Sequence, residues 1–149
     1  QNEAFAMGDE ICVMQQGRVQ QKDSAYNLYH NPTNRFIAEF IGEGSIFSGT
    51  VVSEDTIETD LGKIEGTLPD FCKKKDQIKV LIRPEDVVIS ETNEIQAVIK
   101  ARYFRGSEFL YHLKTSGGNE LYCLHPSSEQ LQIDQSIGVR IKIERPVVF

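Results

Sequence analysis

The feature that most constrains the fold is a long succession of short β-forming segments, which begins at Gly44 and continues almost to the C-terminus. Residues 77–82 and 137–144 alternate apolar and polar side chains with a period of two, as half-buried strands do. Residues 108–126 form two such segments around a Ser-Gly-Gly-Asn turn at 116–119. Many short strands separated by turns predict an all-β barrel or sandwich for residues 43–149.

The N-terminal part of the chain has a different pattern, which predicts a β-hairpin followed by two short helices. Residues 10–14 and 18–21 are short apolar runs joined by Gln15-Gln16-Gly17, a sequence typical of hairpin turns. Asp23 or Ser24 can cap the first helix. We therefore predict a domain boundary near residue 42.

The second predicted helix carries the largest apolar face of this N-terminal part. Thr33 or Asn34 can cap its start, and Gly42 stands where the helix should end. A hairpin and two short helices bury too little surface to be stable alone. The apolar face is therefore predicted to pack against a missing part of the protein or against a second copy. It consists of two i,i+4 pairs, Phe36 with Phe40 and Ile37 with Ile41.

Composition argues against several classes of function. The net charge of -6 disfavours nucleic acid as a partner, since phosphate neutralisation dominates that affinity. The three cysteines and three histidines have no metal-ligand spacing, so no metal site is predicted. No apolar run has the length of about 20 residues that a membrane helix requires.

No motif for catalysis or for cofactor binding stands out. The single Gly-Lys pair, Gly62-Lys63, lacks the upstream glycine of a phosphate-binding loop and is predicted to be a turn. Lys73-Lys74-Lys75 is predicted to be a solvated loop. The aromatic residues between Tyr103 and Tyr111 leave one alternative open, a stand-alone oligonucleotide-binding barrel. A barrel that binds a small oxyanion or metal ligand is a further alternative.

The sequence Arg83-Pro84-Glu85-Asp86 lies between two predicted strands and allows two interpretations. Pro84 interrupts the strand ladder and fixes a corner. Arg83 can donate a forked hydrogen bond to the nearby carboxylates, which would make this a purely structural corner. The alternative is a role in an interface with another subunit.

Three stretches together resemble the C-terminal part of an ABC-transporter ATP-binding subunit of the importer type. "QNEAFAMGDEICVMQQGRVQQ" is similar to the segment that follows the switch histidine, and "NLYHNPTNRFIAEFIG" to the motif after it. "LIRPEDVVIS" resembles an element of the transport-associated oligonucleotide-fold-like (TOBE) domain. The resemblance implies a mainly β chain. It would comprise an OB-like TOBE regulatory barrel at 43–149, preceded at 1–42 by a small α/β remnant of the ATPase domain.

The resemblance also implies a function for the parent subunit, which would bind ATP and Mg²⁺ and hydrolyse ATP. This chain carries no phosphate loop, signature or switch histidine, so we expect it to bind no cofactor and to have no catalytic residue. The implied partners are a second copy bound through the regulatory domain, membrane permease subunits and a periplasmic or extracellular solute-binding protein. The implied location is the cytoplasmic face of the membrane. Residues predicted for the interface or for regulation are Arg83, Glu85, Asp86, Arg105 and Glu108.

Within the importer ATPases, two local stretches are most similar to ferric-iron importers. They are "YFRGSEFLYHLKTSGGNELYCLHPS" and the terminal "VVF". They predict ferric iron as the transported substrate, while polyamine and sugar importers share the earlier motifs.

Overall fold

The computed structural model describes residues 9–92 and 94–149, which divide into two compact units. One unit ends at Glu43 and includes Phe149, and we call it the hairpin–helix unit; the other, the β unit, runs from Gly44 to Val148. The division falls one residue from the predicted boundary. Residues 1–8, which begin the first ATPase-like stretch, lie outside the described residues. In the described ranges no helix is both long and apolar enough to cross a bilayer.

The hairpin–helix unit opens with the predicted β-hairpin. Strand β1 (Ile11–Gln15) pairs antiparallel with β2 (Arg18–Asp23). The two residues between the strands, Gln16 and Gly17, have φ angles of 51° and 74°. Positive φ at both central positions gives a turn whose twist matches that of the paired strands, and glycine adopts it without steric cost.

Two short helices follow, each capped by one of the predicted residues. Helix α1 (Ala25–His30) begins after Ser24, whose Oγ accepts the N–H of Asn27 at 3.2 Å. Helix α2 (Arg35–Ile41) begins after Asn34, whose Oδ1 accepts the N–H of Ile37 at 2.9 Å. Gly42 follows α2 in an extended conformation, so this helix ends without a left-handed glycine cap.

Helix α2 does not present its four large apolar residues as one uncovered face. Ile37 and Ile41 are buried and pack with Val13 of β1 and Leu28 of α1. Phe36 is partly buried against the same cluster and stacks on Phe40 at 5.6 Å between ring centroids. The side chain of Phe40 is 50% exposed. The unit thus has a small core of its own, which the sequence argument did not foresee.

Among its described residues, the β unit has ten strands arranged in two five-stranded antiparallel sheets. One sheet has the order β10-β9-β8-β11-β7 and the other the order β12-β6-β3-β4-β5. A single 3₁₀ turn, Pro84–Asp86, connects β6 to β7. The strands are β3 (Ser45–Ser53), β4 (Thr56–Thr59), β5 (Gly62–Glu65), β6 (Gln77–Ile82), β7 (Val87–Ile89), β8 (Ile95–Phe104), β9 (Glu108–Thr115), β10 (Glu120–Pro126), β11 (Ser136–Ile141) and β12 (Val147–Val148).

One hydrophobic core fills the space between the two sheets. Its fully buried members include Ile57 and Val80 from one sheet and Ile99, Leu113 and Leu121 from the other. Alternation along the strands explains this arrangement, because every second side chain of a strand points to the same face. The structure confirms the prediction of a mainly β fold. Strands β5 and β12, of four and two residues, were not predicted.

Candidate interaction site

The Arg-Pro-Glu-Asp sequence forms the 3₁₀ turn between β6 and β7. The carboxylate of Asp86 accepts the backbone N–H of Arg83 at 2.8 Å, and the N–H of Asp86 donates to the carbonyl of Arg83 at 3.0 Å. Pro84 occupies the first position of the turn, where the missing N–H costs no hydrogen bond. The carbonyl of Asp86 also accepts the N–H of Lys142, which ties the turn to the chain after β11.

The four residues of this turn differ in their access to solvent. Arg83 is only 5% exposed and Pro84 is buried, whereas Glu85 is exposed and Asp86 is half-buried. Burial raises the pKa of the Asp86 carboxyl to about 6, and the neighbouring Glu85 carboxylate raises it further. The hydrogen bond from the Arg83 N–H and the charge of the Arg83 guanidinium act in the opposite direction and lower this pKa. Glu85 is therefore the one residue of the turn that presents its charge outward.

The other two predicted interface residues lie where the chain turns from β8 into β9, and Glu108 is the first residue of β9. Arg105 and Glu108 are both exposed, and the N–H of Arg105 donates to the carbonyl of Glu108 at 2.8 Å. Tyr103 and Phe104, which precede this turn, are 53% and 70% exposed. We call residues 103–108 the β8–β9 tip; it combines large apolar side chains with both signs of charge.

The aromatic residues of β8 and β9 form a ladder that leads from solvent into the core. Phe104 lies 5.4 Å from Phe109, and Phe109 lies 5.6 Å from Tyr111, measured between ring centroids. Tyr111 is fully buried, and its hydroxyl accepts the N–H of Leu131 at 3.1 Å. Arg102 donates to the carbonyl of Leu131 at 2.8 Å and lies 5.9 Å from the Phe109 ring. Two of the three rings of the ladder are therefore structural, and Phe104 remains exposed at its outer end.

The three cysteines of the described residues differ in burial: Cys12 is exposed, Cys72 is partly buried and Cys123 is buried. Cys12, Cys72 and Cys123 are all free. Burial raises the pKa of Cys123 to about 12, and its Sγ donates to the carbonyl of Val87 at 3.2 Å. Among the described residues no three His, Cys, Asp or Glu side chains are grouped so that they could hold a metal ion.

The sequence predicted the two charged residues of the β8–β9 tip, but not its two exposed rings, as interface candidates. Tyr103 and Phe104 were considered only as part of a possible base-stacking cluster. Large apolar residues at a hairpin tip are a usable signal, because such a tip cannot bury them in its own sheet. The structure places Arg83 and Asp86 in a buried or half-buried turn, and Glu85, Arg105 and Glu108 at the surface.

Comparison with known proteins relates almost the whole chain to one type of transporter subunit. Residues 80–149 match the TOBE domain family. The spermidine/putrescine import ATP-binding protein PotA of Aggregatibacter actinomycetemcomitans is 33% identical over 96% of this chain. The protein of the same name from Haemophilus influenzae is 31% identical over the same share. The chain spans 42% of the length of each of these relatives.

A solved structure shares the fold at low sequence identity. It is the cytoplasmic molybdate-binding protein ModG in a form with molybdate bound, which aligns with a TM-score of 0.57 and 13% identity. The alignment covers 70% of this chain and 94% of that protein. At this identity the similarity establishes a common fold and nothing about the ligand.

Proposed function

We propose that this chain is the TOBE-containing C-terminal part of an ABC importer ATP-binding subunit, and that it joins two such subunits and regulates them. The observation that carries the proposal is the β8–β9 tip, where Tyr103 and Phe104 are exposed beside Arg105 and Glu108. Exposed aromatic rings beside charges of both signs are typical of protein interfaces. The proposed occupant of this surface is a second copy of the chain, because ATP-binding subunits of this transporter type work in pairs.

The contact would act by keeping two ATPase domains close while their nucleotide sites open. A linked second contact raises the effective concentration of the partner, so the pair reforms without diffusing apart. A ligand that binds one arrangement of the two subunits better than the other would then shift the ATPase cycle. Glu85, on the exposed side of the 3₁₀ turn, is a second candidate contact, and Arg83 and Asp86 support it from within the turn.

The hairpin–helix unit is proposed to be the end of the ATPase domain, and the parent subunit to bind ATP and Mg²⁺. This chain alone would bind no ATP, which a titration with a fluorescent ATP analogue tests directly. The parent would work at the cytoplasmic face of a membrane with permease subunits and a solute-binding protein.

For the transported substrate we propose a polyamine in preference to ferric iron. The relatives named for spermidine and putrescine import align with 96% of the chain, whereas the iron expectation rests on two local stretches. Uptake of radiolabelled spermidine and of ferric iron, compared in cells with and without the gene, decides between them. Loss of iron uptake alone would contradict the polyamine proposal and support ferric iron as the substrate.

Self-association is tested by sedimentation velocity over a range of concentrations. We expect a concentration-dependent dimer that the double variant Phe104→Ser, Glu108→Lys weakens. The matched control is Phe71→Ser, Asp70→Lys, which alters an exposed ring and an exposed acid in the loop between β5 and β6. A chain that stays monomeric at every concentration contradicts the proposal, and so does equal weakening by both variants.

A further inference from the structure

A groove crosses the outer face of the sheet to which β8, β9 and β11 belong. It has a volume of about 340 Å³ and is lined chiefly by Gln96, Val98, Lys100, Lys114, Ser116 and Ser136. Its size falls at the lower end of the range of small-molecule sites. The groove lies wholly within the β unit and is separate from the β8–β9 tip.

The strand register explains why these side chains meet. Val98 of β8 pairs with Lys114 of β9 on one side and with Ser136 of β11 on the other, so the three form one row across the sheet. Lys100 lies at the irregularity between Ile99 and Ala101, where β8 has one residue more than β9. A bulge of this kind redirects the extra side chain, and here Lys100 lines the same groove as Lys114.

The edge of the groove is held by backbone hydrogen bonds rather than by a loose loop. The N–H of Ser116 donates to the carbonyl of Gln96 at 2.9 Å, which fastens the end of β9 to β8. The N–H of Thr115 donates to the carbonyl of Asn119 at 2.8 Å and closes the following turn. The hydroxyl of Ser116 is thus carried by a fixed backbone.

The groove is locally positive in a chain whose net charge is -6. Two lysines line it and no acidic side chain does. In the part of the chain that the structure describes, neither Lys100 nor Lys114 forms an ion pair with a carboxylate. Glu120 of β10 lies opposite Lys114 of β9 in the strand register, but its carboxylate is directed to His112, with its oxygen 3.7 Å from Nε2.

We propose that this groove binds a small organic phosphate. Two ammonium groups match the charge of a phosphate dianion, and lysine is a common phosphate ligand. The hydroxyls of Ser116 and Ser136 and the amide of Gln96 supply further donors, while Val98 offers an apolar surface for a short carbon skeleton. The inference does not depend on the transporter function, because it follows from the groove alone.

Titration of the isotope-labelled chain with glycerol 3-phosphate, followed by amide NMR, tests the proposal. We expect saturable shifts at Lys100, Lys114, Ser116 and Ser136, with millimolar or tighter affinity that falls as salt is added. Neutral glycerol should cause no such shifts, and inorganic phosphate should bind more weakly than glycerol 3-phosphate. Shifts spread over all exposed lysines would overturn the site, and equal affinity for inorganic phosphate would overturn the organic ligand.

A matched pair of variants separates the groove from general surface charge. Lys114→Gln should weaken binding about tenfold, because it removes one charged partner of the phosphate. Lys63→Gln removes an exposed lysine from β5 in the other sheet and should leave the affinity unchanged. Equal affinity of Lys114→Gln and the unaltered chain would refute the proposal. If Lys114→Gln fails to fold, the shift pattern of the unaltered chain still decides.

Discussion

The half-buried carboxyl of Asp86 allows a quantitative prediction about the stability of the β unit. Its pKa of about 6 in the folded chain lies above the ordinary value of 3.8, chiefly because burial disfavours the ionised form. A raised acid pKa means that the folded chain holds the proton more tightly than the unfolded chain does. The associated stability is fully present below pH 3.8 and is lost as the pH rises through about 6.

The substitution Asp86→Asn should remove this loss while it keeps the local geometry. Asparagine has an oxygen that can still accept the N–H of Arg83, which the carboxylate accepts at 2.8 Å. A shift from 3.8 to about 6 corresponds to about 3 kcal/mol at ~1.4 kcal/mol per pKa unit. The carboxyl is partly open to solvent, so we halve this figure and expect the variant to be more stable by about 1.5 kcal/mol at neutral pH.

Urea unfolding measured by circular dichroism between pH 3.5 and pH 8 is the assay, since the chain has no tryptophan. The difference in free energy of unfolding between Asp86→Asn and the unaltered chain should grow from near zero at the acidic end to its full value at neutral pH. Asp70→Asn, at an exposed position between β5 and β6, is the matched control. A difference that does not depend on pH, or a variant less stable at neutral pH, would refute the reasoning.

Two further predictions concern packing. Gly66→Ala should destabilise the β unit by about 1–3 kcal/mol in urea unfolding, because the new Cβ would lie within 2.9 Å of two carbonyl oxygens and a proline carbon. Gly117→Ala is the control and should cost little, since the nearest atom to its Cβ would be 3.6 Å away. Equal losses of stability in the two variants would contradict this. Ile37→Ala should lower the free energy of unfolding by about 2–4 kcal/mol and make the hairpin–helix unit more sensitive to protease. Phe40→Ala, at a half-exposed position, should have neither effect. An unchanged cleavage rate for Ile37→Ala would contradict the small core.

The sequence was sufficient where a local pattern decides the structure. Strands β9 and β10 agree with the two segments predicted within residues 108–126, since the Ser-Gly-Gly-Asn turn separates them clearly. Each helix begins after one of the two residues predicted to cap it. Ser24 and Asn34 each accept the N–H of the residue three positions later, so this signal is local in the sequence.

The sequence was insufficient where contacts distant along the chain decide the structure. The pairing of Val98 with both Lys114 and Ser136 depends on which strands are neighbours in the sheet, which no local period reveals. The same holds for helix α2, where spacing alone grouped the phenylalanines with the isoleucines. Leu28 and Val13 bury Ile37 and Ile41, whereas Phe40 stays half-exposed, and the position of β1 beside the helix determines this.

The burial of the Arg-Pro-Glu-Asp turn also determines which residues can test the proposed subunit contact. Arg83 is 5% exposed, and Asp86 closes the turn through a carboxylate oxygen, so charge reversal at either would disturb the turn itself. A loss of self-association in such variants would not distinguish an interface from a damaged fold. Glu85, Arg105 and Glu108 are exposed, so charge reversal there changes what a partner meets and leaves the core in place. The two readings of the motif are thus compatible: its buried half builds the corner, and its exposed half is what a second subunit could contact.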